Sequence, residues 1–172
     1  DFVFVRFTGC NLWSGKEKHR ASAVCKFCDT DFYGTDGING GVYEKKDLVT
    51  KIKSLWISMD SEIRVVLTGG EPLLQVDDSL ITALKKANIY IAVETNGTLK
   101  APKGIDWICM SPKANTDIQL TEGSEIKVIY PQENLDPADF NNLKFSNYYI
   151  QPMDSKDYET NVSKSVEFCM QN

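Results

Sequence analysis

Six short segments rich in β-branched and aromatic residues constrain the fold of this chain more than any other feature. They predict strands at residues 2–7, 63–68, 89–95, 107–111, 125–130 and 147–153. Most are nearly uninterrupted apolar runs, which is typical of parallel strands that are covered on both faces. The segments that follow them are polar and contain Gly or Pro, and ligands of parallel α/β folds bind at that end of the strands.

Four helices are predicted between or after these strands. Three have apolar residues at helical spacing: Leu48, Ile52, Leu55, Trp56 and Met59; Leu80, Ile81, Leu84 and Ala87; and Val162, Val166, Cys169 and Met170. Asp78 or Ser79 can cap the helix that contains Leu80. Asp136-Pro137 predicts the start of a further helix, between the fifth and sixth strands. The alternation indicates an α/β fold with a mostly parallel sheet and crossover helices, and both an open sheet and a partial barrel fit it.

The length of 172 residues suits one domain that spans the whole chain. The net charge is −5 and there is no long basic tract, so nucleic acid is not an expected partner. No apolar run approaches the roughly 20 residues of a membrane span, so no membrane partner is expected. An odd number of cysteines, five, argues against a disulfide scaffold and favours a reducing, cytoplasmic setting.

A long polar loop at residues 9–41 contains Cys10, Cys25 and Cys28. The last two cysteines can converge on one metal centre, and a loop of any length can deliver the first, so zinc and an iron–sulfur cluster are both open. His19 would complete a Cys3His zinc site, although the charged segment SGKEKHRASA around it predicts a solvated excursion. Cys109 and Cys169 are predicted to be inert thiols of the core.

The motif Gly69-Gly70-Glu71-Pro72 follows the second strand. Its glycines would let the backbone approach a ligand closely, and its exposed N–H groups could hold an anion. Glu71 could accept a hydrogen bond from a cationic group. By itself the motif is equally compatible with an ordinary turn from strand to helix, made rigid by Pro72.

Together, the cysteine trio and this motif resemble the radical S-adenosylmethionine (SAM) superfamily, with Phe27 just before the last cysteine. The usual spacing there is Cys-x3-Cys-x2-Cys, whereas this chain has Cys-x14-Cys-x2-Cys. The segments FVRFTGCNLW, AVCKFCDTDF, TGGEPLLQ, VETNGT, SPK, KVIYPQ and YIQPMD resemble the 7-carboxy-7-deazaguanine synthase family, in the same order. Some of its members carry this expanded loop, and the resemblance implies a partial (β/α)6-type barrel, complete or abbreviated.

The resemblance implies a lyase of queuosine and 7-deazapurine biosynthesis. A reduced 4Fe–4S cluster would donate one electron to bound SAM, and the resulting 5′-deoxyadenosyl radical would take a hydrogen atom from 6-carboxy-5,6,7,8-tetrahydropterin. Ring contraction and loss of ammonia would give 7-carboxy-7-deazaguanine. The cofactor supplies this chemistry, and Mg2+ would orient the substrate and stabilise its charge.

The resemblance also assigns roles to matching residues. Cys10, Cys25 and Cys28 would bind the cluster, and Thr30 would bind Mg2+. Arg6, through a bidentate pair with the carboxylate, and Thr68 would bind the substrate. The residues around SAM would be Phe27, Asp29, Gly69, Gly70, Glu71, Glu94, Asn96, Ser111, Pro112, Lys113, Gln151, Pro152, Met153 and Asp154.

Four of these residues also have ordinary structural interpretations that the sequence leaves open. Arg6 could be a solvated cation at a strand edge, and Thr30 could be a turn residue or a helix cap. Lys113 could be a surface lysine, and Asp154 could cap the chain as it enters the last helix.

A flavodoxin or ferredoxin electron donor and a homodimer are further implications of the resemblance. The family has a Gln-Gly-Glu-Gly stretch before the first strand and a His-Lys pair after the last helix. Neither occurs in this chain, so we expect N-terminal and C-terminal segments to be lacking, at a cost in substrate affinity. The alternatives are another radical SAM enzyme, such as a glycyl-radical activase, and a non-catalytic, zinc-stabilised α/β binding module.

Overall fold

Six parallel strands form one sheet in the computed structural model, which describes residues 1–58 and 61–172. The strands are β1 (Val3–Phe7), β2 (Ile63–Gly69), β3 (Ile89–Thr95), β4 (Trp107–Met110), β5 (Glu122–Tyr130) and β6 (Lys144–Pro152). Their spatial order is their order along the chain, so β1 and β6 are the edges of an open sheet. The predicted α/β class, the parallel sheet and all six strands are confirmed.

Within the described residues, three α-helices accompany the sheet: α1 (Lys45–Leu55), α2 (Asp78–Lys86) and α3 (Tyr158–Gln171). Short 3-10 helices lie at Glu17–Ser22, Pro72–Leu74 and Pro137–Phe140. The expectation of a crossover helix between strands is therefore only partly right. Asp136-Pro137 begins a single 3-10 turn, and the described connections from β3 to β4 and from β4 to β5 contain no helix. The sheet is open, and its crossover connections are abbreviated in its second half.

The N-cap of α2 is Asp77, not Asp78 or Ser79 as the sequence predicted. Its carboxylate accepts hydrogen bonds from the Leu80 N–H at 2.8 Å and from the Ser79 hydroxyl at 2.6 Å. These bonds lower the pKa of Asp77 to about 2. The cap satisfies one of the N–H groups that a helix leaves free in its first turn.

Two apolar cores stabilise the two halves of the sheet. The larger core joins one face of β1–β3 to α1 and α2, and its most deeply buried residues include Ile52, Leu67, Leu84 and Ile91. The smaller core lies on β4–β6 around Met110, Leu120, Ile126, Val128 and Phe145. The prediction of full coverage on both faces is wrong at the sheet edges, where Phe4 is 67% exposed and Tyr149 52% exposed.

The helical stripes are only partly buried. Ile52 is buried as predicted, but Leu55, the last residue of α1, is 41% exposed, and Met59 lies outside the described residues. On α3 the buried residues are Asn161 and Ser165, whereas the predicted core thiol of Cys169 is exposed. Cys109, by contrast, is buried as predicted. No helix in the described ranges is long and apolar enough to span a bilayer.

Candidate active site

A cavity of about 320 Å3 lies at the carboxyl ends of the strands. Seventeen of the twenty residues predicted for the site line it: Cys10, Cys25, Phe27, Cys28, Asp29, Thr30, Thr68, Gly69, Gly70, Glu94, Asn96, Ser111, Lys113, Gln151, Pro152, Met153 and Asp154. They come from segments up to 144 residues apart in sequence. The topology brings them together because the ends of parallel strands meet at one edge of the sheet.

Arg6, Glu71 and Pro112 are the three predicted residues that do not line this cavity. Arg6 is exposed on β1, where its backbone pairs in register with Thr68, a lining residue. Pro112 is buried between two lining residues, and its carbonyl accepts a hydrogen bond from the Gln132 amide at 3.3 Å. Their assigned contacts with substrate or SAM stay predictions.

The wide gap between Cys10 and Cys25 is closed by main-chain hydrogen bonds. The carbonyl of Leu12 accepts from the N–H groups of Val24 at 3.1 Å and Cys25 at 3.3 Å. These bonds join the two ends of the 14-residue segment between Cys10 and Cys25, which we call the excursion. The excursion therefore leaves the site and returns to it. We call residues 10–28 the cluster loop.

The three thiols of the cluster loop are free and partly or fully buried. Burial raises the pKa of Cys10 and of Cys25, and the nearby Lys113 ammonium opposes this rise at Cys25. Both pKa directions favour protonated thiols before a metal binds, and metal binding would release those protons.

The spacing of these thiols differs from that of a single-ion site. In tetrahedral zinc sites, Zn–S bonds of about 2.3 Å place the sulfurs about 3.8 Å apart. Among residues 1–58 and 61–172, Glu94, Cys109 and Glu125 are the only three residues whose potential metal-binding atoms (a Cys sulfur, a His nitrogen or a carboxylate oxygen) all lie within 4.8 Å of one another. Cys10, Cys25 and Cys28 do not form such a group, and a cluster does not require one, because each thiolate binds a different iron.

His19 lies on the exposed part of the excursion, and its Nδ1 is 2.8 Å from the Ser14 hydroxyl. It is not among the residues that line the cavity. The arrangement does not assemble the Cys3His site that the sequence left open.

The two glycines after β2 allow a close approach between strand ends. Gly69 has φ of +135°, and a Cβ on Gly70 would overlap the carbonyl oxygen of Gly9. The N–H of Gly70 donates to the Phe7 carbonyl at 3.0 Å, and that of Glu71 donates to the Gly9 carbonyl at 2.9 Å. The prediction that these N–H groups are free to hold an anion is therefore wrong.

Glu71 is fully buried and connects the ends of β2 and β3. Its carboxylate accepts hydrogen bonds from the Leu73 N–H at 2.9 Å, the Thr95 hydroxyl at 2.8 Å and the Asn96 N–H at 2.8 Å. Burial raises the pKa of Glu71, while these donors act in the opposite direction. The geometry gives this residue a structural role behind the cavity, in what we call the sheet wall, residues 68–71 and 94–96.

Two positive side chains face the cavity beside this wall. Lys113 donates to the carbonyl and hydroxyl oxygens of Ser111 at 2.5 and 2.8 Å, and burial lowers its pKa. Lys127 forms an ion pair with Glu94 at 3.1 Å. Desolvation disfavours the charged form of Lys127, but the neighbouring acidic groups of Cys109 and Glu94 favour it more strongly, so the pKa of Lys127 is raised.

Six lining residues were missed by sequence reasoning: Leu12, Trp13, Phe32, Thr95, Lys127 and Ile129. Two of them carried a signal. Lys127 interrupts an apolar strand, and Trp13 is a large apolar residue in a polar loop. Asn11 was also missed, and its side chain accepts from the Asn96 amide at 3.0 Å and donates to the Thr98 hydroxyl at 2.7 Å. These bonds fix the start of the cluster loop to the end of β3.

Curated relatives match nearly the whole chain. A 7-carboxy-7-deazaguanine synthase of Caulobacter vibrioides is 51% identical over 169 residues, which are 98% of this chain and 80% of that protein. One of Bradyrhizobium diazoefficiens is 49% identical over 171 residues, 99% of this chain and 81% of that protein. No family model matches.

Among solved structures, QueE from Escherichia coli matches with a TM-score of 0.65. The two chains are 19% identical, and the match covers 98% of this chain and 80% of the other. At this identity the likeness supports the fold alone.

Proposed function

The chain belongs to the 7-carboxy-7-deazaguanine synthase family, and we propose that it converts 6-carboxy-5,6,7,8-tetrahydropterin to 7-carboxy-7-deazaguanine and ammonia. The observation that supports this activity is the meeting of Cys10, Cys25 and Cys28 with the end of the sheet around one cavity. The family identified from the sequence is confirmed by these relatives.

A 4Fe–4S cluster and SAM would supply the radical chemistry, with the cluster bound by Cys10, Cys25 and Cys28. The position of all three thiols on the surface of one cavity supports this assignment. Lys113 places a positive charge close to Cys25, where it favours the thiolate form of that ligand and opposes the effect of burial on its pKa.

The remaining cavity wall supports the proposed SAM site. Phe27, Trp13 and Phe32 give it aromatic surface, and Trp13 and Phe32 stack edge to face with ring centroids 5.5 Å apart. Aromatic surface suits an adenine ring and excludes water from a reactive radical. Gln151, Pro152, Met153 and Asp154 line the opposite end, at the end of β6.

For the pterin and Mg2+, we propose Thr68, Arg6 and Thr30. Thr68 and Thr30 share the cavity, and Arg6 lies beside Thr68 on the neighbouring strand. The guanidinium would bind the substrate carboxylate, and a hydroxyl oxygen is a suitable ligand for Mg2+. Glu71 is fully buried, does not line the cavity and already accepts three hydrogen bonds, so we assign it to positioning the site and not to direct contact with SAM.

Three further features complete the proposal. A one-electron donor of the flavodoxin or ferredoxin type would reduce the cluster. The exposed apolar residues Val166 and Met170 on α3 are compatible with a subunit contact in a homodimer. All five cysteines are free thiols, which fits the reducing cytoplasm.

An anaerobic turnover assay tests the activity. The protein reconstituted with iron and sulfide is mixed with SAM, Mg2+, a chemical reductant and the carboxylated pterin, and products are followed by mass spectrometry. We expect 7-carboxy-7-deazaguanine and 5′-deoxyadenosine to form in the wild type but not in Cys28→Ser. Formation of 5′-deoxyadenosine without any pterin product would indicate another radical enzyme, and neither product would favour the binding module.

Arg6→Ala tests the substrate end of the cavity. Loss of the guanidinium should raise the KM for the pterin at least tenfold, because it removes a bidentate pair with a carboxylate. The affinity for SAM, measured by equilibrium binding, should stay unchanged. An unchanged KM would show that Arg6 is only an exposed cation of the sheet edge.

A further inference from the structure

Arg20 is the residue of the excursion that contacts the Cys25–Cys28 turn. One of its guanidinium nitrogens donates to two main-chain carbonyls, that of Lys26 at 2.9 Å and that of Cys28 at 3.0 Å. Both carbonyls belong to the turn that carries two of the three thiols. The excursion, which the sequence predicted to be solvated, therefore returns to the site.

Two further contacts hold the guanidinium in place. It lies over the ring of Trp13 at 4.1 Å from the centroid, and Trp13 lines the cavity on the other side. Its Nε also donates to both carboxylate oxygens of Glu17, at 2.9 and 2.8 Å. Since the Arg20 side chain is only 28% exposed while that of Glu17 is 77% exposed, the carbonyl and ring contacts are the less screened ones.

This geometry is specific to arginine. A planar guanidinium can stack on an indole and donate to several acceptors in its plane at once, whereas an ammonium is a point charge without such a plane. Hydrogen bonds from a charged donor are also stronger than neutral ones. The turn that presents Cys25 and Cys28 is thus fixed by a side chain from within the inserted segment.

We propose that Arg20 is a positioning residue for the cluster ligands. The segment between Cys10 and Cys25 would serve to bring the Arg20 guanidinium against the Cys25–Cys28 turn. The charge should have a second consequence. A cation hydrogen-bonded to the carbonyl of a ligating cysteine stabilises the more negative, reduced state of a cluster and so raises its reduction potential. This second consequence rests on the proposed cluster, whereas the positioning of the turn does not.

Hydrogen exchange of the cluster-free protein tests the positioning. In Arg20→Ala, amide exchange within residues 25–28, read at Cys25, whose N–H donates to the Leu12 carbonyl, should become at least about tenfold faster, since two charge-assisted bonds that hold the segment are lost. Exchange in β2 and β3 should be unchanged. Arg64→Ala is the matched control, because Arg64 also lies over an aromatic ring, Tyr90, and beside a glutamate, Glu62, but contacts no cysteine turn.

Arg20→Lys separates the effect of the planar shape of the guanidinium from the effect of its positive charge. We expect it to lose the exchange protection as Arg20→Ala does, yet to keep most of the reduction potential of the reconstituted wild type. Arg20→Ala should show a more negative potential in the same redox titration.

Unchanged exchange at residues 25–28 in Arg20→Ala, or full protection in Arg20→Lys, would overturn the positioning role. If exchange responds as expected but no variant binds iron, including the wild type, the proposed function fails while the role of Arg20 in the turn stands.

Discussion

The two walls of the cavity hold their residues by different means. The sheet wall is continuous with the larger core and is joined internally by the buried carboxylate of Glu71. The cluster loop lies outside both cores. It is held by the Arg20 guanidinium, which stacks on the Trp13 ring and donates to main-chain carbonyls of the Cys25–Cys28 turn. The difference indicates that the core supports the sheet wall, the proposed SAM side, directly, and we expect the cluster loop to open locally without unfolding of the sheet.

Glu71→Ala should have the largest effect, because it acts on the wall that belongs to the core. It leaves the Leu73 N–H, the Asn96 N–H and the Thr95 hydroxyl without their acceptor in a buried region. We expect the free energy of unfolding in urea to fall by about 3 kcal/mol or more. Glu62→Ala, at an exposed site, should change it by less than about 0.5 kcal/mol. Equal effects in the two variants would refute the distinction between the walls.

Gly70→Ala acts where the walls meet. Its Cβ would overlap the carbonyl oxygen of Gly9 and approach the Cβ of Cys10 to 3.0 Å. We expect a loss of about 1–3 kcal/mol in stability, as for overpacked sites, together with weaker iron binding. Gly37→Ala is the control, since its Cβ would meet nothing within 4 Å. Iron content at the wild-type level in folded Gly70→Ala would show that the contact does not position Cys10.

Trp13→Ala should separate local from global stability. Removing the ring takes away the surface on which Arg20 and Phe32 pack. We expect faster proteolytic cleavage within residues 14–24 and reduced iron binding, with a urea midpoint that moves less than in Glu71→Ala. The cleavage sites are read by mass spectrometry. A cooperative loss of the whole fold in Trp13→Ala would mean that the cluster loop belongs to the core after all.

The strands and most site residues could be predicted because their signals are local. An apolar run such as residues 63–68 must be buried, and cavity residues follow strand ends in any parallel sheet. The functions of Glu71 and Arg20 could not be predicted in this way. Glu71 accepts hydrogen bonds from donors that lie 24 and 25 residues away in sequence, the Thr95 hydroxyl and the Asn96 N–H, and only the folded chain brings these groups together.

Cys169 shows what a local signal in the sequence cannot predict, namely whether a helix face is covered. Its spacing with Val162 and Val166 correctly indicated one face of a helix, but periodicity does not say what covers that face. In α3 the sheet-facing positions are the small polar residues Asn161 and Ser165. Asn161 is buried because its amide donates to the Met153 carbonyl at 2.9 Å, which a scan for apolar residues cannot detect.

The N-cap of α2 lies outside both walls, and changing it should have the smallest effect on stability. That effect should depend on pH. The pKa of Asp77 is lowered to about 2 in the folded protein, from a usual value of 3.8. Its contribution to stability is therefore fully present above pH 3.8 and is lost as the pH falls toward 2. Asp77→Asn retains a capping side chain without a charge, so its stability should vary less with pH in this window. Parallel pH profiles of the two proteins, from urea midpoints, would contradict this account.

The proposed function depends most directly on Cys10, Cys25 and Cys28 binding one 4Fe–4S cluster at the carboxyl ends of the strands. Iron and sulfide are counted after anaerobic reconstitution, and electron paramagnetic resonance of the reduced protein is recorded with and without SAM. We predict about four iron and four sulfide per chain, a spectrum that changes when SAM is added, loss of iron in each of the three Cys→Ser variants, and wild-type iron in Cys169→Ser, whose thiol is exposed. A colourless protein with one zinc per chain, or full iron content in any of the three variants, would contradict the claim.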